Sequence, residues 1–338
     1  MTRPYGLLRA GFPYLRCLGM RRLTNFPVDI ALGGEGRIYV LCRQEATQAL
    51  IRKYTVDDED LGTIGEVGSD DGKFVWPVSI VADGNEELFV SDEALHRVSR
   101  FDMEGEFLGK WGEYGDAEGQ LNRPAGLAFD LEENVYVVDA WNHRVQKFTK
   151  DGDFLLTWGR FGDGEGEFNM PYGIAVDELG DVYVADWRND RVQKFTAEGE
   201  FIFAFGRSGT GDGEFNRPTG VDVDGDGDIY VADAGNDRVQ LFNSEPRYVQ
   251  KFLGEATLSL AARDYMMTNA SPNRMRDMAS LDPQKLLRRP TSVKVDDQGR
   301  MFIADNGSYR VQVYQKEAIP LTPQQISVPR RSSTLHQE

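Results

Sequence analysis

Short apolar runs separated by glycine-rich and acid-rich turns recur along most of the chain. After Pro171 the sequence runs Gly-Ile-Ala-Val-Asp, the turn Glu-Leu-Gly-Asp, and then Val-Tyr-Val-Ala-Asp. Arg-Val-Gln-Lys-Phe follows, and Phe-Ile-Phe-Ala-Phe-Gly completes the unit after a second turn. Runs of this length joined by glycine-containing turns are typical of antiparallel hairpins. The pattern therefore predicts four short strands per unit.

The unit is repeated at a fixed period. Residues 134–148, 181–195 and 228–242 share Tyr-Val, an aspartate and Arg-Val-Gln at matching positions. The aspartates that end the second strands are each 47 residues apart: Asp92, Asp139, Asp186 and Asp233. Such a period indicates units that cannot bury their apolar surface alone and must stack. Four antiparallel strands per unit, arranged radially, form a propeller blade.

The number of blades follows from the proline that opens each unit. Blades are predicted to start near residues 26, 76, 123, 170, 217 and 289. The last unit, from Pro290 to Tyr314, contains only three strands, and residues 12–19 resemble a fourth strand such as 154–159. We predict an all-β, six-bladed propeller with four antiparallel strands per blade, closed by the N-terminal strand in the last blade, because closure removes exposed sheet edges. Residues 1–316 would form this single domain.

The repeated segments Tyr-Val-Ala-Asp, Asn-His/Asp-Arg-Val-Gln and Gly-Glu-Phe-Asn-Arg-Pro-Thr-Gly (213–220) resemble NHL repeats. The resemblance covers residues 26–254 and 288–316 and implies a bacterial-type NHL propeller without an appended catalytic domain. Members of this family include RNA-binding and protein-binding modules, kinase sensor domains and peptidylglycine amidating lyases. A shared fold does not choose among these functions.

Composition narrows the function classes. The formal net charge of −17 argues against nonspecific nucleic-acid binding, because phosphates would be repelled. Cys17 and Cys42 could pair, but two free thiols in a reducing cytosol fit better than a disulfide framework. Arginines and Pro13 interrupt the apolar stretches near the N-terminus, and no apolar run is long enough for a span. We expect a cytoplasmic protein with no membrane span.

Several charged positions repeat with the blades and are predicted to be scaffold. An arginine follows the repeated aspartate by five positions in five blades: Asp92/Arg97, Asp139/Arg144, Asp186/Arg191, Asp233/Arg238 and Asp305/Arg310. Charged groups near an interior are usually paired, so these should form structural ion pairs. His96 and His143 share one position with Asp190, Asp237 and Tyr309 in other blades, which indicates repeat residues. Zinc-dependent lyases of this fold need several converging histidines, so we predict no catalytic residue, metal or cofactor.

Residues 222–233 allow two interpretations. Their alternating aspartates and central glycine fit the calcium-loop template, except that Asp233 replaces the terminal glutamate. Alternatively, Asp224 to Asp228 is only the first hairpin turn of its repeat and matches Asp177 to Asp181. Strands rather than helices flank the segment, which favours the turn.

The residues on either side of the blade-opening proline vary, whereas the scaffold around them repeats. The candidate ligand-binding residues among them are Phe26, Trp76, Arg123, Met170, Tyr172, Arg217 and Arg289. They are expected to surround one mouth of the channel, where guanidiniums suit carboxylates or phosphates and rings suit an apolar body. The alternative is that the arginines pair with loop acids such as Asp190 and Asp237.

A second variable position lies in the first strands. Ala31, Val81, Ala128 and Ala175 are replaced by Asp222 in blade five and Lys294 in blade six. Equivalent positions on adjacent blades are neighbours near the channel. We expect Asp222 and Lys294 to form a polar pair there, either structural or as a polar channel lining.

The repeat is interrupted between Gly254 and Pro290. Residues 255–287 are predicted to form a mainly helical insertion, because Leu258, Ala261, Ala262 and Tyr265 make one apolar helical stripe. It could be a lid, a docking element, or a segment that packs on the adjacent blade. Residues 317–338 contain prolines and polar residues without periodicity and are predicted to be a flexible tail.

Three functions from different classes remain open. The first is a non-catalytic binding or assembly module, monomeric on its own, that presents its loops to a protein partner or a small anionic ligand. The second is an enzyme at the channel mouth, such as a lyase or a lactonase-like hydrolase, and the third is an RNA-binding domain. No nucleophile–base or metal-ligand pattern is evident in the sequence, which favours the first, and the net charge opposes the third.

Overall fold

In the computed structural model of the chain, residues 8–19, 24–44, 47–259, 262–263 and 282–320 are described. They form six four-stranded antiparallel sheets arranged as the blades of a propeller. Two short two-stranded pairs lie outside the blades. The predicted six-bladed architecture is confirmed.

The strands of each blade run in chain order from the channel outward, except in the sixth blade. Blade 1 contains β3 (Pro27–Leu32), β4 (Arg37–Gln44), β5 (Gln48–Thr55) and β6 (Asp60–Ile64). Blade 2 contains β9 (Pro77–Ala82), β10 (Leu88–Asp92), β11 (Arg97–Phe101) and β12 (Phe107–Trp111). Blade 3 contains β13 (Pro124–Phe129), β14 (Val135–Asp139), β15 (Arg144–Phe148) and β16 (Phe154–Trp158).

The remaining blades follow the same order. Blade 4 contains β17 (Pro171–Val176), β18 (Val182–Asp186), β19 (Arg191–Phe195) and β20 (Phe201–Phe205). Blade 5 contains β21 (Pro218–Val223), β22 (Ile229–Asp233), β23 (Arg238–Phe242) and β24 (Tyr248–Phe252). Blade 6 contains β25 (Pro290–Val295), β26 (Arg300–Asp305), β27 (Arg310–Gln315) and β2 (Tyr14–Leu18).

The short elements lie outside the blade pattern. They are the ribbon of β1 (Leu8–Gly11) and β28 (Glu317–Pro320), the parallel pair β7 (Glu66–Val67) and β8 (Lys73–Phe74), α1 (Asp282–Lys285), and the 3-10 turns Gly34–Gly36, Ala140–Asn142, Ala234–Asn236 and Asn306–Ser308. Within the described ranges, no helix is long and apolar enough to cross a membrane.

The ring is closed by the N-terminal strand, as the sequence predicts. β2 pairs antiparallel with β27, with Leu18 opposite Val311. Leu18 is fully buried in a core that also contains Ile30 of blade 1 and Phe302 of blade 6. β1 continues this pairing outside the blade, with Gly11 opposite Glu317. Both ends of the propeller are therefore held in the same place.

The first strands surround the channel at close range. Each contacts the first strand of the next blade, all round the ring. A side chain at Gly126 would place its Cβ 2.5 Å from the carbonyl oxygen of Tyr172, and one at Gly173 would lie 2.5 Å from that of Thr219. Such distances are far below van der Waals contact, so glycine is required where the blades approach most closely.

The insertion between blades 5 and 6 is described only at its two ends. At its start, the backbone N–H of Glu255 donates to the Tyr314 hydroxyl (3.0 Å) and that of Thr257 to the Tyr14 hydroxyl (3.0 Å). Ser259 Oγ accepts the N–H of Ala262 (3.1 Å), which is typical of a helix N-terminus. The described start thus contacts blade 6. Residues 260–261, 264–281 and 321–338 lie outside the described residues. They include Ala261 and Tyr265 of the predicted helical stripe and all of the predicted tail except Glu317–Pro320, which forms β28.

Ring closure predicts a large difference between two leucines of β2. Leu18→Ala should lower the free energy of unfolding by about 2–5 kcal/mol, because it leaves a cavity between blades 6 and 1. Leu15→Ala is the matched control, since Leu15 is 42% exposed on the same strand and its loss should change stability by less than about 0.5 kcal/mol. Urea unfolding measures both variants. Equal effects would contradict closure through β2.

Candidate functional site

One face of the propeller carries the variable residues. It is formed by the linkers between blades and by the loops between second and third strands, and we call it the loop face. Its main segments are 93–96, 112–123, 140–143, 159–170, 187–190, 206–217, 234–237, 288–289 and 306–309. Linker and loop touch directly, since Asn142 Nδ2 donates to the carbonyl oxygen of Gly115 (2.8 Å).

The loop face is held by the buried aspartate at the end of each second strand. Asp139 is fully buried, and its Oδ1 accepts the backbone N–H of Asn122 (2.6 Å). Its Oδ2 accepts hydrogen bonds from Asn142 (2.8 Å), Arg144 (2.8 Å) and Gln146 (3.1 Å). Burial raises the pKa of this carboxyl, and the hydrogen bonds and the Arg144 charge oppose that rise. The network ties a loop, a strand and a linker to one carboxylate.

Equivalent networks surround Asp186, Asp233 and Asp305. The ion-pair distances are 3.0 Å to Arg191, 2.7 Å to Arg238 and 2.7 Å to Arg310. The arginines also donate to linker carbonyls; Arg191 reaches those of Asp163 (2.7 Å) and Gly164 (2.8 Å), for example. These pairs are scaffold, as the sequence predicts.

Blade 2 departs from this pattern. Asp92 is buried but makes no ion pair with Arg97 in the structure; its carboxylate accepts four backbone N–H groups, two of which belong to Val75 and Trp76. Arg97 instead donates to the carbonyl oxygens of Ser69 (3.2 Å) and Asp70 (2.9 Å). The expected pair is absent because backbone donors satisfy the Asp92 carboxylate and linker carbonyls bind the two terminal nitrogens of Arg97, whose buried Nε has no hydrogen-bond partner among the described residues.

The two histidines act as hydrogen-bond acceptors. His96 Nδ1 accepts the backbone N–H of Arg123 (3.1 Å), and His143 Nδ1 accepts that of Met170 (3.0 Å). This contact places the imidazole proton on Nε2. Burial and the nearby charges of Arg123 and Arg188, respectively, lower both pKa values. Among the described residues, no group of three or more His, Cys, Asp or Glu is placed to hold a metal ion.

Histidine and aspartate interchange at this position because either side chain can accept the same backbone N–H, as the next two blades show. Asp190 accepts the N–H of Arg217 (2.6 Å), and Asp237 accepts that of Arg289 (2.7 Å). Arg217 and Asp190 both have left-handed backbones, with φ of 54° and 51°. Such angles are costly outside glycine, so this hydrogen bond holds the residue before the proline in a fixed, strained position.

The three predicted arginines lie in different surroundings. The Arg123 guanidinium lies 3.9 Å from the centre of the Trp141 ring and pairs with Glu93 (3.0 Å). The Arg217 guanidinium lies 4.8 Å from the centre of the Trp187 ring. Within the described part of the chain, the guanidiniums of Arg217 and Arg289 make no ion pair or hydrogen bond, so loop acids account for only one of the three arginines.

The other predicted site residues are spread between the loop face and the channel. Trp76 and Arg123 line one cleft of about 420 Å³ together with Glu93 and His96, and the Arg43 guanidinium stacks 4.3 Å from the Trp76 ring. Three other predicted site residues lie outside this cleft. Phe26 packs on Tyr309 with ring centres 4.5 Å apart, the backbone N–H of Met170 donates to His143, and Tyr172 lines the channel.

Exposed aromatic residues form a part of the loop face that the sequence pattern did not reveal. Tyr114 is 68% exposed, Phe161 67% and Trp141 46%. Tyr114 packs on His96 and Phe161 packs on His143, with ring centres 4.8 and 4.9 Å apart. The only sequence signal for Tyr114 and Phe161 is that each interrupts an acidic linker. This signal does not tell whether the side chain is exposed or buried.

The channel itself is narrow and polar at one side. It offers about 30 Å³, room for about one water molecule, and its lining includes Tyr172 and Lys294. Asp29 is buried on its wall and accepts hydrogen bonds from the hydroxyls of Ser79 (2.6 Å) and Ser292 (2.6 Å). Asp29 thus joins blade 1 to both of its neighbours. The sequence analysis did not single out this residue.

Asp222 and Lys294 do not form a direct ion pair in the structure. Asp222 accepts the backbone N–H of Val295 (2.7 Å). Burial raises the pKa of Asp222 to about 6, and the Lys294 charge acts in the opposite direction. The two charges are therefore coupled through space, and their role as a polar pair of the channel stays a prediction.

The turn that resembles a calcium loop is filled by a side chain of the protein. The Lys316 ammonium contacts the carboxylates of Asp224, Asp226 (3.1 Å) and Asp228 (2.7 Å), and its side chain is only 6% exposed. In blades 3 and 4 the turn acid is paired by a lysine of the same blade, for example Lys194 with Asp177 (3.1 Å). Leu241 occupies that position in blade 5, so Lys316 supplies the missing cation from the adjacent blade 6.

The histidine hydrogen bonds predict a loss of stability in mild acid. Both folded pKa values lie below the ordinary value of 6.5, so the folded state binds fewer protons and its stability falls as the pH drops below about 6.5. The double variant His96→Asp/His143→Asp copies Asp190 and Asp237 and should remove this part of the pH dependence. Urea unfolding at pH 7.5 and 5.5 measures it. If the double variant lost as much stability between pH 7.5 and pH 5.5 as the wild type, the two histidines would not be the source of this pH dependence.

The raised pKa of Asp222 predicts that this residue lowers the stability of the fold as the pH rises, which is opposite in sign to the effect of the histidines. Its contribution to stability is present below the ordinary pKa of 3.8 and is lost as the pH rises through about 6. Relative to the wild type, Asp222→Asn should gain up to about 2–3 kcal/mol between pH 4 and pH 7. Lys294→Met should move the transition to higher pH, because it removes the charge that favours ionised Asp222. If the free energy of unfolding of the wild type and of Asp222→Asn changed in parallel between pH 4 and pH 7, the raised pKa of Asp222 would be refuted.

Comparison with known proteins agrees with the observed architecture. The NHL repeat model matches residues 121–148, 168–195 and 215–242, which lie in blades 3, 4 and 5. No curated protein matches the chain. A catalytically inactive virginiamycin B lyase from Staphylococcus aureus, solved with quinupristin, is 11% identical with a TM-score of 0.55, covering 94% of this chain and 90% of that chain.

Two further solved structures share the fold. A protein of unknown function from Bacteroides thetaiotaomicron is 17% identical with a TM-score of 0.64, covering 92% of this chain and 76% of that one. A chain of a nidogen/laminin complex is 17% identical with a TM-score of 0.52, covering 68% and 80%. Identities this low indicate the fold alone. The sheet topology identifies the chain as a six-bladed β-propeller, and three of its blades match the NHL repeat model.

Proposed function

We propose that this propeller is a non-catalytic binding module whose loop face binds a protein partner. The observation that carries the proposal is the set of exposed aromatic side chains on that face. Tyr114 and Phe161 each expose about two thirds of their surface (68% and 67%), and Trp141 exposes 46%. Aromatic residues and arginines are the residue types most enriched at the centres of protein interfaces.

The rigidity of the loop face supports the same function. The buried aspartates hold its loops and linkers in blades 3 to 6, as the ion pairs of Asp139 and Asp305 illustrate. Tyr114 and Phe161 are further supported by the imidazoles beneath them. A surface that is already ordered loses little conformational entropy on binding, and this favours affinity.

The channel gives less support to an enzyme or to a small ligand on the axis. Its space of about 30 Å³ is far below the several hundred Å³ of typical ligand pockets. A channel-mouth enzyme remains the alternative, since a fold neighbour is a virginiamycin B lyase. A protein complex is also among the fold neighbours. At sequence identities of 11% and 17%, neither structure decides between an enzyme and a binding module.

Site-specific photocrosslinking tests the proposal. A benzophenone amino acid is placed at Tyr114 or Phe161 on the loop face, and at Leu131 or Leu179 as matched controls. The control leucines are 70% and 84% exposed but lie in turns on the opposite face. In the native host cell, defined crosslinked protein bands are expected from the loop face and not from the controls.

The same bands should weaken when the neighbouring ring is removed by Trp141→Ala, because interface aromatic residues contribute on the order of 2 kcal/mol or more. Equal crosslinking from both faces would overturn the proposal. Recovery of a stoichiometric small molecule by native mass spectrometry, with no crosslinked protein, would favour the enzyme alternative instead.

A further inference from the structure

Among the described residues, arginines whose guanidinium has no ion-pair or hydrogen-bond partner are concentrated on one part of the loop face. Most guanidiniums of this acidic chain are neutralised; Arg144, Arg160 and Arg207, for example, pair with carboxylates 2.8 Å away. In the described part of the chain, the guanidiniums that make no ion pair or hydrogen bond include four from blades 4 to 6: Arg188, Arg217, Arg288 and Arg289. All four residues are exposed.

These arginines are held close to one another by the scaffold. The guanidiniums of Arg188 and Arg217 lie 5.5 and 4.8 Å from the centre of the same Trp187 ring. Two residues beyond Arg217, the Thr219 hydroxyl donates to the carbonyl oxygen of Pro290 (3.3 Å), the residue after Arg289. Because like charges repel, this grouping costs stability unless an anion compensates it. We call Arg188, Arg217, Arg289 and Trp187 the arginine patch.

Arg123, at the equivalent position of blade 3, shows how such a guanidinium is neutralised within the chain. There the Arg123 guanidinium stacks on Trp141 and donates a hydrogen bond to the carboxylate of Glu93 from the preceding blade (3.0 Å). The position that corresponds to Glu93 is occupied by Trp187 next to Arg217 and by Ala234 next to Arg289. At Arg217 the carboxylate is therefore replaced by the Trp187 ring on which Arg217 stacks, and the position of Trp141 is occupied by Gly235.

We infer that the arginine patch binds a carboxylate supplied from outside, and that its source is an aspartate or glutamate of a peptide segment with an apolar side chain beside it. The carboxylate would neutralise the guanidiniums of the patch, as Glu93 neutralises Arg123, and the apolar side chain would pack on the Trp187 ring. This inference rests on the proposed function, because it names the chemistry of the protein partner.

A long polyanion fits the patch less well than a peptide with one or two acids. The linkers beside the patch carry Asp163, Glu165 and Asp212, which would repel a chain with a phosphate at every residue. A single carboxylate can bind two N–H groups of one guanidinium without approaching these acids.

Peptide selection followed by binding measurements tests the inference. A random peptide library displayed on phage is selected on the full chain, and the enriched peptides are measured by fluorescence anisotropy. Selected sequences should place Asp or Glu next to an aromatic or aliphatic residue. Exchange of that acid for its amide should weaken binding about tenfold, which is the loss expected for a charge-assisted hydrogen bond.

Variants of the protein locate the contact. Arg217→Gln and Arg289→Gln should each weaken the selected peptides about tenfold, whereas the matched control Arg160→Gln/Arg207→Gln should leave binding unchanged. The control arginines lie on the same face with side chains 81% exposed, but they are already paired with Glu167 and Glu214. Equal affinity for the acidic and amide peptides, or no effect of Arg217→Gln, would overturn the inference.

Two further probes exclude other sources of the anion. Tight binding of a fluorescein-labelled oligouridylate that is lost in Arg217→Gln would overturn the peptide assignment in favour of RNA. Displacement of the peptide by micromolar citrate would overturn it in favour of a small carboxylate. If the arginine variants have no effect but crosslinks from Tyr114 persist, the inference fails and the proposed function stands. Loss of the crosslinks would remove the proposed function itself.

Discussion

The loop face depends on carboxylates that are buried with their charge compensated. Asp139, Asp186 and Asp233 are removed from water, and burial raises the pKa of each. A buried charge is tolerated only when several donors satisfy it, and removal of one donor leaves an unpaired group at a cost of several kcal/mol. The donors come from a loop, a strand and a linker, and the linker donor Asn122 lies 17 residues from Asp139 along the chain. One electrostatic requirement therefore fixes the geometry of three segments at once.

Other structural roles in the ring are filled by different residue types in different blades. A histidine or an aspartate accepts the N–H of the residue before the proline, as His96 and Asp190 do. The blade 5 turn takes its cation from Lys316 rather than from its own third strand. The physical function of each position is conserved within the molecule, while the residue type is free to change. Because different residue types can have the same structural role, the residue type at one variable position does not by itself indicate a function.

A rigid frame with a filled axis directs binding to the surface. The glycines at the channel, such as Gly126, bring adjacent first strands so close that little free space remains between them. The loops at the channel mouth, in contrast, carry exposed rings and charges on a backbone that the aspartates hold in place. At the arginine patch, Trp187 stands where the Arg123 site has the carboxylate of Glu93, so the residue type at this loop position decides whether the arginine is neutralised within the chain.

Sequence alone determined the six blades and the closing strand, because strand pairing and turns depend on local alternation and on glycines that recur every 47 residues. It also identified Arg217 and Arg289 as variable positions, and the aspartate–arginine pairs as scaffold in four of the five blades where they were expected. It could not foresee that Arg97 would bind carbonyls, that Lys316 would fill the turn of Asp224, or that Glu93 would neutralise Arg123. Only the tertiary structure decided these contacts, because they join residues from different blades or linkers, and the distance between such residues is set by the curvature of the ring rather than by their spacing in the chain.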